Sequence, residues 1–350
     1  MRKNKLKEFF TLSEVYQTAK DNLTKEVWDY FAGGADSETT LRRNSSAMGH
    51  FEFRPRVLRG VGTIDISTTF LGLPLQLPIM MAPMASLYLI DREGDLAMAR
   101  AASAFGTIHW LSTRTAYTPE AVIKAANGAP LIFQLFWRGD NNWCKNLVKR
   151  VEALGFKAVA LTVDTPVYGR RERDLLNRFN HRKIPQGIEV PMDRTLHEAT
   201  LTWKDVAWLR RTTKLPLIIK GIQSFEDARL AIEHGANAIY VSNHGGRQLD
   251  YAPATIEILA EIVEVVNGKV EVIIDGGFQR GTDVIKALAL GAKAVCIGKT
   301  AAWGLAAGGE RGVMQVLKLF ESELKTTMAN LGVSKISDIT AKYVRVNKYI

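Results

Sequence analysis

Between residues 78 and 299 one unit recurs eight times: a short apolar run that breaks into small or polar residues, followed in most cases by a segment of helical periodicity. The runs are PIMMAP (78–83), GTIHWLS (106–112), PLIFQLF (130–136), KAVALTVD (157–164), LPLIIKG (215–221), NAIYVSN (237–243), VEVIIDGG (270–277) and KAVCIGK (293–299). They are too short for helices and mostly lack polar alternation, as in strands covered on both faces. EGDLAMARAASAF, TPEAVIKAA, NWCKNLVKRVEALG, SFEDARLAIEHG, PATIEILAEIVEVVN and GTDVIKALALG lie between them, and Gly155, Gly235 and Gly291 stand at helix C-termini. Eight such units predict an α/β chain folded as a closed (β/α)8 TIM barrel. An open doubly wound sheet is the alternative, but no G-x-G-x-x-G follows the first strand. Residues 1–78 read as lead-in helices (LSEVYQTAKDNL, KEVWDYFAG) and an irregular stretch. Residues 165–214 read as a long lid-like insertion after strand 4. The whole of 1–350 is read as a single barrel domain.

Composition narrows the class. Hydrophobic residues make up 47% of the 350, enough for a large core. The two cysteines, Cys144 and Cys296, are far apart, form no metal-binding pattern and fit a reducing compartment. Cys296 in AVCIG reads as an inert buried thiol. The formal net charge of +10 raises nucleic acid or an acidic membrane surface as partners. The basic residues are scattered and no nucleic-acid motif accompanies them, so a basic protein with solvated lysines is the preferred reading. MRKNKLKEFF lacks a following apolar region and VNKYI carries no address, so a cytoplasmic location without a membrane span is expected.

In such a barrel, chemistry gathers where the strands end at their C-terminal side. Ser112, Gln134, Asp164, Lys220, His244, Asp275 and Lys299 are the polar residues at those ends. His244 is followed by Gly245 and Gly246, read as room for a ligand, and by Arg247, whose planar fork suits a carboxylate. A base beside a carboxylate clamp reads as proton abstraction next to an anchored acid; a merely hydrogen-bonded histidine is the plain alternative. Lys220 ends a buried strand, which is costly unless it faces an anion or a reacting group. It reads as an ion pair with Asp164 or Asp275, as a Schiff-base lysine, or as a stabiliser of negative charge on a cofactor. The glycines of IIDGGFQRG and CIGKT, at strands 7 and 8, match a phosphate site.

VSNHGGRQLD, LTVDTPVYGRRERD, IIKGI, IDGGFQRGTDVIKALALGAKAV and DYFAGGADSETTLRRN closely resemble the FMN-dependent α-hydroxy acid oxidases and dehydrogenases, from about Ser13 to past Leu331. That resemblance implies FMN as cofactor and His244 as the base that takes a proton from the substrate α-carbon or its hydroxyl. It implies Asp164 behind the histidine, with Arg247 and Tyr30 on the substrate carboxylate and Arg171 nearby on the insertion. Lys220 would face the flavin N1–O2 edge. Pro83, Met84, Ala85, Ser112, Gln134, Thr162 and Ser242 would line the flavin, and Asp275, Gly276, Gly277, Gly298 and Lys299 would hold ribityl and phosphate. A homotetramer is expected on the same ground.

Four positions depart from the family pattern. Phe136 in FQLF stands where a tyrosine is usual, and Arg114 in LSTRTAY where a bulky apolar side chain is usual. Gln279 and Lys299 replace phosphate-site arginines, and lysine still neutralises a phosphate. Arg114 is read either as turned outward, or paired with an acid of the insertion, or as a second cation in the pocket. The expected reaction is oxidation of a 2-hydroxy acid larger than glycolate, with O2 as the simplest acceptor and a quinone or a protein as alternatives. No haem-binding segment is expected ahead of the barrel. A biosynthetic enzyme of the same fold acting on a larger or carrier-linked hydroxy acid, and a non-catalytic basic binding protein, are the competing readings.

Overall fold

The computed structural model describes residues 8–179, 185–190 and 198–347. The eight barrel strands are β1 (Ile79–Met81), β2 (His109–Ser112), β3 (Leu131–Leu135), β4 (Ala158–Thr162), β5 (Leu217–Ile222), β6 (Ala238–Val241), β7 (Glu271–Ile274) and β8 (Ala294–Ile297). They pair in parallel in sequence order, and β8 closes on β1 with Val295 opposite Ile79. Every strand is shorter than its apolar run, because the ends of the runs leave the ladder.

Side chains alternate across a strand, so one parity of each strand points into the barrel. Met80, Trp110, Ile132, Ala160, Ile218, Tyr240, Ile273 and Cys296 form that interior cluster. The hairpin Thr68–Phe70 with Leu73–Leu75 contributes Phe70 and Leu75 to it, with Phe70 stacked on Trp110 at 6.2 Å. The opposite parity, including Ile79, Leu111, Phe133, Leu161 and Ile219, packs in the larger core with the helices. Two residues beyond the interior cluster, the same parity delivers Ser112, Gln134, Thr162, Lys220, Ser242, Asp275 and Gly298. The period of 2 thus carries an apolar interior up into a polar layer at the mouth.

Three lead-in helices precede the barrel: α1 (Leu12–Asn22), α2 (Lys25–Ala32) and α3 (Thr39–Ser46). Thr11 and Glu14 form a capping box at the start of α1. The outer helices are α4 (Gly94–Phe105), α5 (Pro119–Ala125), α6 (Asn141–Ala153), α8 (Trp203–Thr212), α9 (Phe225–Glu233), α10 (Thr255–Val266), α11 (Gly281–Ala289) and α12 (Lys299–Leu331), while the short α7 (Glu172–Leu176) belongs to the insertion and packs on α2. Gly308 and Gly309 break α12 with non-helical backbone. The lead-in stretch is less irregular than expected, since Phe51–Phe53 pairs antiparallel with Val344–Val346 near the C-terminus. The insertion is shorter than 165–214. Its last part is α8, the outer helix after β4, with Val206 and Leu209 buried. Among the described residues no helix is long and apolar enough to cross a membrane.

Candidate active site

VSNHGGRQLD turns the chain from β6 into a loop held by side-chain and backbone hydrogen bonds together. His244 adopts a left-handed backbone with φ of 56°, and Gly245 and Gly246 follow at 65° and 72°. A non-glycine residue there is strained and must be held from outside. Ser242 Oγ accepts the His244 backbone N–H at 3.1 Å, and His244 Nδ1 lies 2.9 Å from Asp164 Oδ1. Asp164 is brought in by Gly221, because a Cβ at 221 would stand 2.6 Å from Asp164 Cβ. Burial raises the Asp164 carboxyl, but the His244 and Lys220 charges outweigh it and hold the group below the usual carboxylate range. Burial pushes the His244 imidazole down, only partly offset by Asp164. The pair therefore rests as carboxylate and neutral imidazole. With Nδ1–H donated to Asp164, Nε2 carries the free lone pair.

The two glycines differ: Gly245 lines the cavity with open space around it, as expected, whereas Gly246 has another use. A Cβ on Gly246 would meet Leu41 N at 2.5 Å, so this glycine admits the backbone of α3, not a ligand. Ala35 N–H donates to Gly246 O at 2.8 Å, and Asn44 and Asn243 exchange amide hydrogen bonds of 2.8 and 2.9 Å. Asn44 was hidden inside DYFAGGADSETTLRRN, where nothing but the resemblance marks it. These contacts seat α2 and α3 across the mouth.

Arg247 comes with them. Its Nη1 donates to Gly33 O at 2.8 Å and Phe31 O at 3.3 Å, and its guanidinium lies 5.3 Å from the Tyr30 ring centroid. Lys299 Nζ donates to Ala32 O at 2.9 Å and Gly33 O at 3.4 Å. Both cations meet the free carbonyls at the C-terminal end of α2, where a helix favours positive charge. Arg171 is buried between Tyr168, whose ring lies 4.1 Å from its guanidinium, and Arg247 O at 3.3 Å. Burial and then the Arg171 charge push the Arg247 guanidinium down to about 10. Burial and then Arg247 push Lys299 well below the usual lysine range. These cations crowd one another and an anion placed among them would be favoured.

The cavity holds about 1100 Å³ and runs between the two ends of this site. Tyr30, Pro83, Met84, Ala85, Arg114, Phe136, Arg171, Lys220, His244, Arg247, Asp275, Gly276, Gly277, Gln279, Gly298 and Lys299 all line it. Ser112, Gln134, Thr162 and Ser242 do not. They lie beneath as the polar layer, where Ser112 Oγ donates to Gln134 Oε1 and Gln134 Nε2 to Thr162 Oγ1, both at 2.7 Å. Lys220 Nζ donates to Ser242 Oγ at 2.9 Å and stands 3.7 Å from Asp275 Oδ2, so the ion-pair reading of Lys220 holds for Asp275. Arg114 lines the cavity and also lies within electrostatic reach of Glu198, an acid of the insertion. Glu198 and Arg138 escaped the sequence reading. Their side chains meet at 3.2 Å, Arg138 stacks 5.2 Å from the Phe136 ring, and burial pushes the Glu198 carboxyl up to about 7.

The far end of the cavity fits a phosphorylated cofactor. Gly276 and Gly277 line it with φ of 101° and 84°, although a Cβ on Gly277 would lie 2.1 Å from Asn44 O, so this glycine, like Gly246, admits the backbone of α3. Gly298 starts α12 with no side-chain cap, and an added Cβ there would meet nothing closer than 3.5 Å. The first N–H groups of a long helix are thus left for an anion. Asp275 Oδ1 is buried without a partner, as a group awaiting a hydroxyl donor.

A model of FMN-dependent dehydrogenases matches residues 19–346. The chain belongs to that family of FMN-dependent α-hydroxy acid oxidases. Among curated relatives it is 45% identical to glycolate oxidase 3 of Oryza sativa subsp. indica over 350 residues, covering 95% of each. It is 42% identical to the 2-hydroxyacid oxidase of Dictyostelium discoideum over 364 residues, covering 99% of this chain and 93% of that one. Among solved structures, mandelate oxidase with benzoyl-formic acid superposes with a TM-score of 0.90 at 37% identity, covering 97% of this chain and 98% of that one. Family membership makes FMN the cofactor and oxidation of a 2-hydroxy acid the reaction.

Proposed function

We propose that His244 is the base of this oxidation, that Arg247, Tyr30 and Arg171 hold the substrate carboxylate, and that the preferred substrate is larger than glycolate. The observation that carries the reading is the Asp164–His244 pair, 2.9 Å apart, in which the Asp164 side chain is buried behind a half-buried His244 that opens on the same cavity as Arg247. Bound FMN supplies the two-electron acceptor. Gly276, Gly277, Gly298, Gln279 and Lys299 would hold its phosphate end, with Asp275 on the ribityl chain. Pro83, Met84 and Ala85 would border the ring, over the layer of Ser112, Gln134, Thr162 and Ser242. Lys220 would offset negative charge at the ring edge.

The carboxylate fixes the substrate so that its α-carbon and hydroxyl lie toward His244. His244 Nε2 takes the proton, from the α-carbon or the hydroxyl, and Asp164 stabilises the imidazolium that results. Arg247 keeps its charge at neutral pH even at about 10, so the clamp stays cationic throughout. Where the family usually has a tyrosine hydroxyl, the ring of Phe136 lies 6.3 Å from that of His244. This removes a polar contact from small substrates, and Arg114, Arg138 and Glu198 line the space beyond it. A substrate with a distal polar group would recover binding energy there that glycolate cannot. O2 is the proposed acceptor.

Anaerobic mixing with glycolate, lactate, mandelate, malate and 2-hydroxyglutarate, followed by loss of flavin absorbance, tests the reading. Reduction by a larger acid at a higher kcat/KM than glycolate is expected. Glycolate as the best substrate would refute the size preference, and no reduction by any of the five would refute the roles assigned to His244 and Arg247.

A further inference from the structure

Tyr240 reads in the sequence as one more apolar residue of β6, and its side chain is fully buried inside the barrel. Its two ends nevertheless touch the two charges beneath the flavin site. The ring centroid lies 5.0 Å from Lys220 Nζ, and the hydroxyl donates to Asp275 Oδ2 at 3.0 Å. That oxygen is the one facing Lys220, 3.7 Å away and beyond hydrogen-bond reach. Lys220 donates instead to Ser242 Oγ. The other carboxylate oxygen of Asp275 has no partner. Two groups, the Tyr240 hydroxyl and the Lys220 ammonium, therefore share one oxygen's field, and the tyrosine occupies the place the ammonium would otherwise take.

We propose that Tyr240 is a positioning residue that holds the Asp275 carboxylate off Lys220, so that the ammonium charge acts on the flavin ring edge rather than on its own counterion. The inference rests on the placement of the ring over Lys220 given above. The physical chain is short. A hydroxyl donating to a carboxylate offsets part of its negative field in a low-dielectric interior. Without it, Asp275 Oδ2 has Lys220 as its remaining partner among these groups and pairs with it directly. Both changes make the potential at the ring edge more negative, and a reduced ring carrying negative charge is then less stabilised. Burial, then the neighbouring Asp275, push the phenol well above its usual range, so it stays a donor at every working pH.

The test uses FMN-loaded enzyme, with cofactor content measured first. Two readouts are taken: the two-electron potential of bound FMN, and the dissociation constant for sulfite, which adds to the ring and leaves it anionic. Tyr240→Phe keeps the ring and removes the hydroxyl. It is expected to weaken sulfite binding about tenfold and to lower the potential by about 30 mV, the two-electron equivalent of tenfold. Asp275→Asn is expected to move both in the opposite direction, and to cancel the effect of Tyr240→Phe in the double variant. Unchanged values in Tyr240→Phe, or an undiminished effect in the Asp275→Asn background, would overturn the proposal. If Tyr240→Phe does not retain FMN, Asp275→Asn alone decides by its sign. Lys220→Met separates the two levels. If it leaves both readouts unchanged, the ring does not lie over Lys220 and the earlier placement fails. If it shifts them while Tyr240→Phe does not, only the role of Tyr240 fails.

Discussion

His244 stores backbone strain at the position where chemistry is proposed, and the strain is held by Ser242 and Asp164. His244→Gln is expected to retain FMN, because the imidazole bonds to Asp164 and not to the phosphate end. Anaerobic flavin reduction should be abolished, and near-normal single-turnover reduction would defeat the assignment. The pH dependence follows from the same environment. Burial lowers the His244 pKa, so its neutral form is already dominant at pH 7. The reduction rate should be flat from neutral pH upward and fall as pH drops below the ordinary imidazole range. Stopped-flow reduction between pH 5 and 8 reads this, and a rise on acidification would contradict it. Arg114→Leu is a sharper probe of the pocket. If Arg114 binds a distal polar group, its loss should cost larger acids roughly tenfold to a hundredfold in kcat/KM, the worth of a charge-assisted hydrogen bond, and leave lactate little changed. An unchanged ranking of substrates would assign Arg114 to Glu198 alone.

At the scale of elements, the site is assembled by docking the lead-in helices onto the loop after β6. Gly246 is the contact point: its φ is 72°, and an added Cβ would lie 2.5 Å from Leu41 N, so there is no space for a side chain. Gly246→Ala should therefore cost roughly 1–3 kcal/mol of stability, through a strained backbone and an overpacked contact. Gly245, with nothing within 4 Å, should tolerate alanine better, at the cost of backbone strain alone. Thermal unfolding of the two variants checks the order, and equal losses would mean that α3 does not press on Gly246. The barrel itself was legible because eight apolar runs are a long-range pattern that few folds satisfy. The polar layer was legible in part, since Ser112, Gln134, Lys220 and Asp275 stand out as the polar ends of apolar runs, whereas Thr162 and Ser242 inside those runs are marked only by the resemblance. The docking was not. A glycine that admits backbone looks the same in a sequence as one that admits a ligand, and Asn44 meets Asn243 across 199 residues. Likewise α8 was read into the insertion, since its tryptophans and arginines blur the apolar stripe. Glu198 and Arg138 meet across 60 residues of sequence, which no local pattern marks.

At the scale of the whole molecule, several mutually repelling cations meet at one cavity, and that sets up a dependence on cofactor. Arg247, Lys299, Arg171 and Arg173 act on one another there: Arg171 bears on the pKa of Arg247, and Arg247, Arg173 and Arg171 all bear on that of Lys299. Arg173 is paired with Glu38 at 2.5 Å and Asp29 at 3.5 Å, whereas the hydrogen bonds of Arg247 and Lys299 given above go to backbone carbonyls, with Asp174 and Glu38 acting on them only through space. Like charges this close repel one another, and a bound anion would offset that repulsion. FMN should therefore stabilise the fold well beyond its contacts with any one strand, because the elements lining its site include α2, α3 and the ends of β1, β7 and β8. A ligand bound only by the folded state adds RT ln(1 + [L]/Kd), about 4 kcal/mol at a thousandfold excess over Kd. Apoprotein prepared by removing FMN should unfold at a lower temperature, and its Tm should climb with added FMN along that logarithm. Riboflavin, which lacks the phosphate, should raise it far less. A Tm insensitive to FMN, or equally sensitive to riboflavin, would show that the cationic cavity does not bind the phosphate.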